Sequence, residues 1–444
     1  MLLFGIVFEE ERSTFADLAF HIYEQVTSGK VAIQNYRFVS VITQWIPTQL
    51  FSAGVEMKSV QLVYSIVFPV FYGAVWAFTH FVLKAKQWAL AWALLWLTFA
   101  THTLFWIQSE LPQGLAVLVI ALGLLSYRTE KNWTPFVVKT ALAILLVTVA
   151  FAHPLLITVV TFSFGLLWFL KPQSKRIIKL SAALYYFSFL VKAIIFRTPY
   201  DKSAGGGIKI GLTTLANFEI PYSIPHLFQN LTTTYYALFI IALLGIWWLW
   251  KSENHRSAKW TLAAIVGHFG IVSIVHSTSA TPDFYFENLC LPAAFIATAG
   301  FAFGIQQAKL KAVSKTVSVV LVLFMIIRLG HVAWIGDNMY ATRLEFLKEM
   351  IYRHAHEKVI YKETPELRDS LIITWGTSYE AWILSARNQE PTHCFLVSED
   401  PAELQWAIDD PNHLILNFHQ PLFSELPKGY FKQPDDKLKY RIIH

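Results

Sequence analysis

Residues 60–83 read VQLVYSIVFPVFYGAVWAFTHFVL and contain no Asp, Glu, Lys or Arg. An α-helix of about 20 residues crosses the roughly 30 Å hydrocarbon core of a bilayer, so this stretch predicts a transmembrane helix. Nine further apolar runs predict helices of the same kind, at 87–107, 112–126, 134–152, 154–170, 177–196, 232–250, 258–277, 289–305 and 316–335. We therefore expect ten transmembrane helices, or eleven if the apolar residues 1–8 belong to another.

The composition of the whole chain supports this prediction. Of its 444 residues, 55% are hydrophobic and only 15% are charged, and the mean hydropathy is +0.44. An ordinary soluble domain is about 25% charged, so a soluble protein and a disordered protein are both excluded. The two cysteines, Cys290 and Cys394, are too few for a disulfide scaffold or a cysteine-based zinc site.

The basic residues of the loops predict the orientation, because cytoplasmic loops are enriched in Lys and Arg. Alternate loops hold two unequal sets, of 14 and 7 basic residues. The larger set consists of Lys84, Lys86, Arg128, Lys131, Lys171, Lys175, Arg176, Lys179, Lys251, Arg256, Lys259, Lys309, Lys311 and Lys315. The smaller set consists of Arg12, Lys30, Arg37, Lys58, Arg197, Lys202 and Lys209. We expect the larger set in the cytoplasm and the smaller set, with the first loop at 9–59, on the outer side.

The residues after 339 differ in composition from those before. Residues 1–339 carry a net charge of +10, whereas residues 340–444 carry −4. LEFLKEMIYRHA has helical periodicity, and VIYKE, LIITWG, CFLVS, HLILNFH and KYRIIH are short β-type runs. We predict a mainly α, polytopic membrane domain at 1–339 and a small extracytoplasmic α/β domain at 340–444. This separation of charge does not indicate a nucleic-acid-binding surface.

The first outer loop is long and has the pattern of two amphipathic helices. In the first, FADLAFHIYEQV, apolar residues recur at helical spacing, while Asp17, His21 and Glu24 share another face. In the second, Arg37 and Gln44 lie on one face and aromatic and aliphatic residues on the other. Two such helices at the outer membrane interface would present polar faces to a substrate there.

Each of these polar residues also has a structural interpretation. Thr14 and Asp17 have the spacing of a capping box, so the Asp17 carboxylate could simply accept a backbone N–H at the helix start. Arg37 and Gln44 could form the water-facing side of a surface helix. The local pattern alone leaves both alternatives open.

A short first helix, an outward loop with an early Asp, two interfacial helices and a basic-aromatic segment ending in Pro resemble the GT-C superfamily of membrane glycosyltransferases. This superfamily includes protein mannosyltransferases, aminoarabinose transferases and oligosaccharyltransferases, and the likeness covers residues 1–335. The mannosyltransferase-type loop usually has a paired Asp-Glu and a later His-Pro-Pro or Lys-Pro-Pro. Here Asp17 is followed by Leu18, and Ile46-Pro47 takes the later place. The paired Glu and the Asp-x-Asp of oligosaccharyltransferases are missing. The resemblance therefore implies no particular metal ligand, and it does not exclude a divalent metal.

The resemblance implies an activity and a location. Such enzymes, here of a bacterial inner (plasma) membrane, pass a sugar from a polyprenyl-phosphate donor to an acceptor on the periplasmic face, with no organic cofactor. Asp17 would be the base for the acceptor hydroxyl, since a positioned carboxylate suffices. Arg37, or Arg197 and Lys202 on a later outer loop, would hold the departing phosphate, and Gln44 would contact substrate. Membrane lipid and envelope proteins are the expected partners.

Three more outward residues are candidates for substrate binding. Glu110 lies at membrane depth, where a carboxylate is costly and often functional, although it could equally serve as a favourable charge at a helix N-terminus. His276 and Asp283 border TPDFYFENLCLP, and the superfamily often has a Tyr-rich segment ending in Leu-Pro there that shapes the substrate pocket. Asp283 could instead be a turn residue. We expect the main cavity to be lined by Asp17, Arg37 and Glu110.

Two other classes of function compete with a glycosyltransferase. A secondary transporter should show internal repeats and charges at the membrane midplane, and the sequence has no repeats and places its acids at the outer boundary. A non-catalytic accessory subunit of a cell-envelope complex would keep the GT-C shape without turnover, and the missing paired acid favours it.

Overall fold

The computed structural model describes residues 1–130, 136–171, 174–217, 219–275, 282–307, 315–408, 410–434 and 438–443. The chain in these ranges is predominantly helical, with one small sheet near its end. The α-helices are α1 Leu2–Val7, α2 Glu9–Thr14, α3 Ala16–Ser28, α4 Val41–Ser52, α5 Met57–Ala77, α6 Lys86–Thr98, α7 Glu110–Glu130, α8 Phe136–Ala152, α9 Leu156–Leu170, α10 Lys175–Ile195, α11 Pro199–Ala216, α12 Ser223–Thr233, α13 Tyr236–Lys251, α14 His255–Val275, α15 Asp283–Gln307, α16 Lys315–Ile335, α17 Thr342–Arg353, α18 Pro365–Leu371, α19 Thr377–Arg387 and α20 Gln405–Ile408.

Several of these helices are suited to a membrane. Within the described ranges, five are long and apolar enough to cross one, namely α5 with its continuation to Val82, α7, α10, α14 and α15. A sixth crossing would combine α12 and α13, between which the chain bends by 91°, and α8 and α9 are apolar but shorter. This architecture is compatible with a polytopic α-helical protein. The described helices cover the predicted segments in most cases, but no helix was predicted where α11 and most of α12 lie. The five or six possible crossings meet the predicted number of ten or eleven only in part.

The predicted helix at 87–107 is wrong in its second half. Helix α6 ends at Thr98, and residues 99–109 are irregular apart from one 3-10 turn at His102–Leu104. These residues are nevertheless buried. Irregular backbone at membrane depth is tolerated only where protein groups satisfy its N–H and C=O groups. The satisfying groups come from other helices and shape the candidate site described below.

Helix α4 is amphipathic in the reverse of the usual sense. Its polar residues Thr43, Gln44 and Thr48 are buried against the protein. Its exposed side carries Ile42 and Trp45, the latter 57% exposed, and no charged residue. An apolar face turned outward over residues 42–46 is the pattern of an interfacial helix, whose apolar side lies against lipid. The predicted division of faces holds for Gln44 against Ile42 and Trp45, but Arg37 precedes the helix. The predicted exposure of the polar face, to a substrate or to water, is wrong, because Arg37 and Gln44 are both buried.

The residues after 340 build a three-stranded parallel sheet of order β2-β1-β3, with β1 at Lys358–Lys362, β2 at Cys394–Ser398 and β3 at Tyr440–Ile443. Helix α19 packs on the sheet, and α17 covers the predicted helical run. Two predicted strands are wrong. LIITWG begins at the end of α18, and HLILNFH forms only a single antiparallel bridge, His413 to Leu422.

This C-terminal unit packs directly on the first loop. The buried carboxylate of Glu380 accepts both Nη2 bonds of Arg343, at 2.8 and 2.6 Å, and the backbone N–H of Ala16 at 2.7 Å. Arg387 makes a two-pronged ion pair with Glu9, at 2.7 and 2.9 Å. Fork-shaped pairs of this kind fix orientation as well as adding energy. The two segments therefore lie on the same side of the helical domain.

Candidate functional site

The irregular segment 99–109 is held by two buried charges from distant helices. The Glu287 carboxylate accepts the backbone N–H groups of Thr101, His102 and Thr103, at 2.7 to 3.0 Å. Arg328 donates to the carbonyl of Phe99 at 3.0 Å. Buried backbone groups need such partners, since each unpaired group costs the free energy of its lost hydration. The hydrogen bonds of Glu287 and Arg328 fix the backbone of segment 99–109, which contains Trp106.

Trp106 links this segment to Asp17. Its indole Nε1 donates a hydrogen bond to Asp17 Oδ2. Burial raises the pKa of Asp17 to about 7; the Trp106 hydrogen bond opposes this rise, and the negative charges of Glu110 and Glu380 add to it. A carboxylate with such a pKa is suited to accept a proton near neutral pH.

The capping interpretation of Asp17 is wrong. Helix α3 begins at Ala16, and its N-cap residue, Phe15, makes no capping hydrogen bond with its side chain. The first free N–H of the helix is instead bonded by Glu380 of the C-terminal unit. Asp17 is therefore available to Trp106, because a distant carboxylate does the capping.

Arg37 and Glu110 form a buried ion pair. Arg37 Nη1 lies 3.0 Å from Glu110 Oε2, and the side chains are 8% and 11% exposed. The guanidinium also lies 5.2 Å from the ring centre of Tyr200, within cation–π range. Its Nε has no hydrogen-bond partner. Two residues that the sequence places 73 positions apart thus meet, and one donor of the cation is left over.

Gln44 is occupied by the packing of the first loop. Its Oε1 accepts from Gln25 Nε2 at 3.2 Å and from the backbone N–H of Ala32 at 2.9 Å, and its Nε2 lies 3.4 Å from His21 Nδ1. All four residues are buried. The geometry gives Gln44 the role of a network residue that joins α3 to α4.

A cavity of about 810 Å³ lies beside the ion pair, among α9, α10, α11 and α14. Its walls are largely aliphatic and aromatic, and its polar lining includes three cations and one acid, namely Arg37, Lys192, Arg197 and Asp201. Lys192 is 4% exposed and its Nζ has no hydrogen-bond partner. A buried ammonium without a partner is costly. The cavity is therefore suited to an anion attached to an apolar body.

His153 also belongs to the polar lining of the cavity. Its Nδ1 accepts the backbone N–H of Leu155 at 3.2 Å, so in the neutral ring the proton is on Nε2. The pKa of His153 is well below its usual range, because of burial first and then the positive charges of Arg37 and Lys192. The neutral imidazole can donate one further hydrogen bond without adding charge.

The predicted cavity lining is correct only for Arg37. Glu110 stands behind Arg37 as its counter-ion, and Asp17 is separated from the cavity by Trp106 and Tyr285, whose rings stack at 5.4 Å. Tyr285 Oη lies 3.3 Å from Tyr200 Oη. A continuous chain of contacts thus joins Asp17 to the cavity wall.

The remaining predicted residues are placed as follows. Arg197 lines the cavity with Arg37, as the sequence suggested for the phosphate. Asp283 pairs with His226 at 3.1 Å and is not among the residues that line the cavity. His276 lies outside the described residues. Among the residues that are described, no group of three or more His, Cys, Asp or Glu side chains is arranged to hold a metal ion.

The sequence analysis missed Lys192, Trp106 and Tyr285. A signal for Lys192 was present, since a lysine inside the predicted helix 177–196 is a charge at membrane depth, and such charges are expensive and commonly functional. Tyr285 lies in TPDFYFENLCLP, the segment that the resemblance associates with the substrate pocket, although the residue was not named, whereas Trp106 had no comparable signal in a chain with 16 Trp. Comparison of the chain with protein-family models, with curated proteins and with solved structures finds no match.

Proposed function

We propose that this protein is a membrane glycosyltransferase that passes a sugar from a polyprenyl-phosphate donor to an acceptor at the outer face of the membrane. The observation that carries the proposal is the partnerless ammonium of Lys192 in an apolar cavity that also contains Arg37 and Arg197. A lipid-linked phosphate has both complements, an anion for the cations and a chain for the apolar walls. Charge-assisted hydrogen bonds to phosphate are among the strong ones.

Two parts of the site act in the proposed reaction, the Asp17 carboxylate as base and the cations of the cavity at the phosphate. The oxygen of the acceptor hydroxyl attacks the anomeric carbon while its proton passes to the Asp17 carboxylate. The bond from that carbon to the phosphate oxygen breaks, and the electron pair leaves on the phosphate. The cations of the cavity then balance the charge that develops there.

We also propose that the cavity and the C-terminal unit lie on the periplasmic side of the inner membrane. The cavity residues come from segments near 37, 153, 197 and 272, each of which the basic-residue alternation assigns to the outer side. The packing of the C-terminal unit on the first loop supports the same side for both. The orientation is proposed from the rule that Lys and Arg are enriched in cytoplasmic loops.

A binding experiment tests the proposal. The purified chain in nanodiscs is titrated with a fluorescent polyprenyl phosphate and with the corresponding polyprenol. Lys192→Met should weaken phosphate binding about tenfold or more, the value of a charge-assisted hydrogen bond, and should leave polyprenol binding unchanged. Lys179→Met is the matched control, since it removes an exposed cation from the same helix about 20 Å away. Equal binding of both lipids, or no effect of Lys192→Met, would contradict the proposal.

One observation favours the alternative of a non-catalytic accessory subunit. The Asp17 carboxylate is shielded from the cavity by Trp106 and Tyr285, so a donor bound as described does not touch it without movement of these rings. An accessory subunit would bind the lipid and fail to transfer sugar. Transfer by the parent chain and its loss in Asp17→Asn would exclude this alternative.

A further inference from the structure

An exposed pair of aromatic rings stands on the C-terminal unit, next to the first loop. Phe418 is 61% exposed, and Trp375, which is partly exposed, lies 5.5 Å from it between ring centres. Phe20 of α3 contacts both rings from beneath, at 5.9 and 6.3 Å and nearly edge-on. Trp375 and Phe418 are named the aromatic shelf.

The shelf is held in a fixed position. The turn that carries Phe418 is closed by a hydrogen bond from the Leu416 N–H to the His419 carbonyl at 2.8 Å. The N–H groups of Asn417 and Phe418 donate to Ser378 Oγ at 3.2 Å and Tyr379 Oη at 3.3 Å. A ring that is both exposed and pre-organised loses little conformational freedom when a ligand covers it.

The edge of the shelf is polar and charged. His419 Nε2 lies 3.2 Å from Glu24 Oε1, and the two side chains are 36% and 34% exposed. Both His419 and Trp375 contact the same Phe20 ring. The lipid-facing stripe of α4, with Ile42 and Trp45, has no charged residue. This contrast indicates that the shelf faces water and not the acyl chains of the membrane.

We propose that the aromatic shelf, together with Glu24 and His419, binds the sugar rings of a glycan. A pyranose has apolar C–H faces that cover aromatic rings, and hydroxyl groups at its edge that donate to a carboxylate such as that of Glu24. His419 holds this carboxylate in place through Nε2, while its Nδ1 lies 2.8 Å from Tyr379 Oη. The shelf offers these two kinds of group side by side.

The position of the shelf suggests which glycan it holds. Glu24 is seven residues after Asp17 on α3, which places both on one face about 10 Å apart along the axis. A glycan on the shelf would therefore lie on the side of α3 that also carries Asp17. The role of this glycan as acceptor rests on the proposed transfer reaction, whereas the binding itself does not.

The binding is tested on the full chain in detergent, by saturation-transfer NMR and calorimetry with chitotetraose, maltotetraose and mannotetraose. At least one should bind, and Phe418→Ala and Glu24→Gln should each weaken it about tenfold. Trp45→Ala is the matched control, because it removes an equally exposed aromatic residue from α4. No binding of any of the three, or equal weakening by Trp45→Ala, overturns the inference.

A second measurement separates a glycan site from a membrane contact. Cys290 and Cys394 are both buried, so Phe418→Cys and Trp45→Cys can be spin-labelled selectively in nanodiscs. We expect the label at 418 to be relaxed by a water-soluble nickel chelate and the label at 45 by oxygen dissolved in lipid. A label at 418 that behaves like the one at 45 refutes the glycan site. Glycan binding without sugar transfer contradicts only the proposed function, and lipid-phosphate binding without glycan binding contradicts only this inference.

Discussion

Replacement of Asp17 by Asn tests the carboxylate at the centre of the proposed site. Asparagine keeps the shape of the side chain and an oxygen that accepts the Trp106 hydrogen bond, but it cannot take up a proton. The pKa of Asp17, about 7, is above that of an aspartate in an unfolded chain. The folded state therefore binds this proton more tightly than the unfolded state, and it loses stability as the pH rises through the interval between the two values.

The size of the effect follows from that interval. Three pH units correspond to about 4 kcal/mol at about 1.36 kcal/mol for each unit. Because Asp17 keeps partial access to water, we halve this to about 2 kcal/mol for the full range. Most of the interval lies above about pH 5, so Asp17→Asn should gain about 1 kcal/mol or more in stability relative to the parent chain between about pH 5 and about pH 8.

The assay is thermal unfolding of the parent chain and of Asp17→Asn at both pH values, together with sugar transfer in membranes. Asp369→Asn, at an exposed position of α18, is the matched control. We expect a rise in Tm that is larger at the higher pH, and a loss of transfer of about 10²–10⁴-fold, typical of a missing general base. A Tm difference that is the same at both pH values, or lower at the higher pH, would refute the assignment of a raised pKa, and full transfer would refute the role as base.

Three further predictions follow from neighbouring contacts. Trp106→Phe removes a hydrogen bond that lowers the pKa of Asp17, so the midpoint of a pH–transfer profile should move to higher pH, and an unchanged midpoint would show that the bond has no influence. Arg37→Ala leaves the Glu110 carboxylate buried and unpaired and should destabilise the fold by about 3–5 kcal/mol. The double variant, Arg37→Met with Glu110→Leu, should recover most of the lost Tm, and equal Tm values for the single and double variants would contradict this. Ser424→Cys, exposed in a chain whose two cysteines are buried, should react with membrane-impermeant maleimide added on the periplasmic side, and labelling only from the cytoplasm would reverse the proposed orientation.

The positions of the helices followed from the sequence because the requirement that produces them is local. A segment of about 20 apolar residues must bond its own backbone groups in a bilayer, whatever its neighbours are. Helices α5, α10 and α15 accordingly lie where the apolar runs predict them. The face pattern of α4 was also readable, because the 3.6-residue period divides polar from apolar residues along a single helix.

The failures occurred where a distant group replaced a local one. The apolar run at 87–107 ends its helix early because Glu287 and Arg328 satisfy the backbone of the following residues. LIITWG has the residue types of a strand, but its first residue ends α18 and the segment joins none of the three strands of the sheet. Residue propensity is a weak guide when pairing partners decide.

For the candidate site, the sequence alone determined the chemical types, namely carboxylates and cations on segments assigned to one side of the membrane. Only the tertiary structure decided which of them meet. In the structure, Arg37 pairs with Glu110, Trp106 donates to Asp17, and Lys192 Nζ has no hydrogen-bond partner. Glu380 accepts the N–H at the start of α3, a role that the local pattern had assigned to Asp17. The physical reason is range: hydropathy and helical period act over one or two turns, whereas burial and charge pairing depend on residues tens to hundreds of positions away.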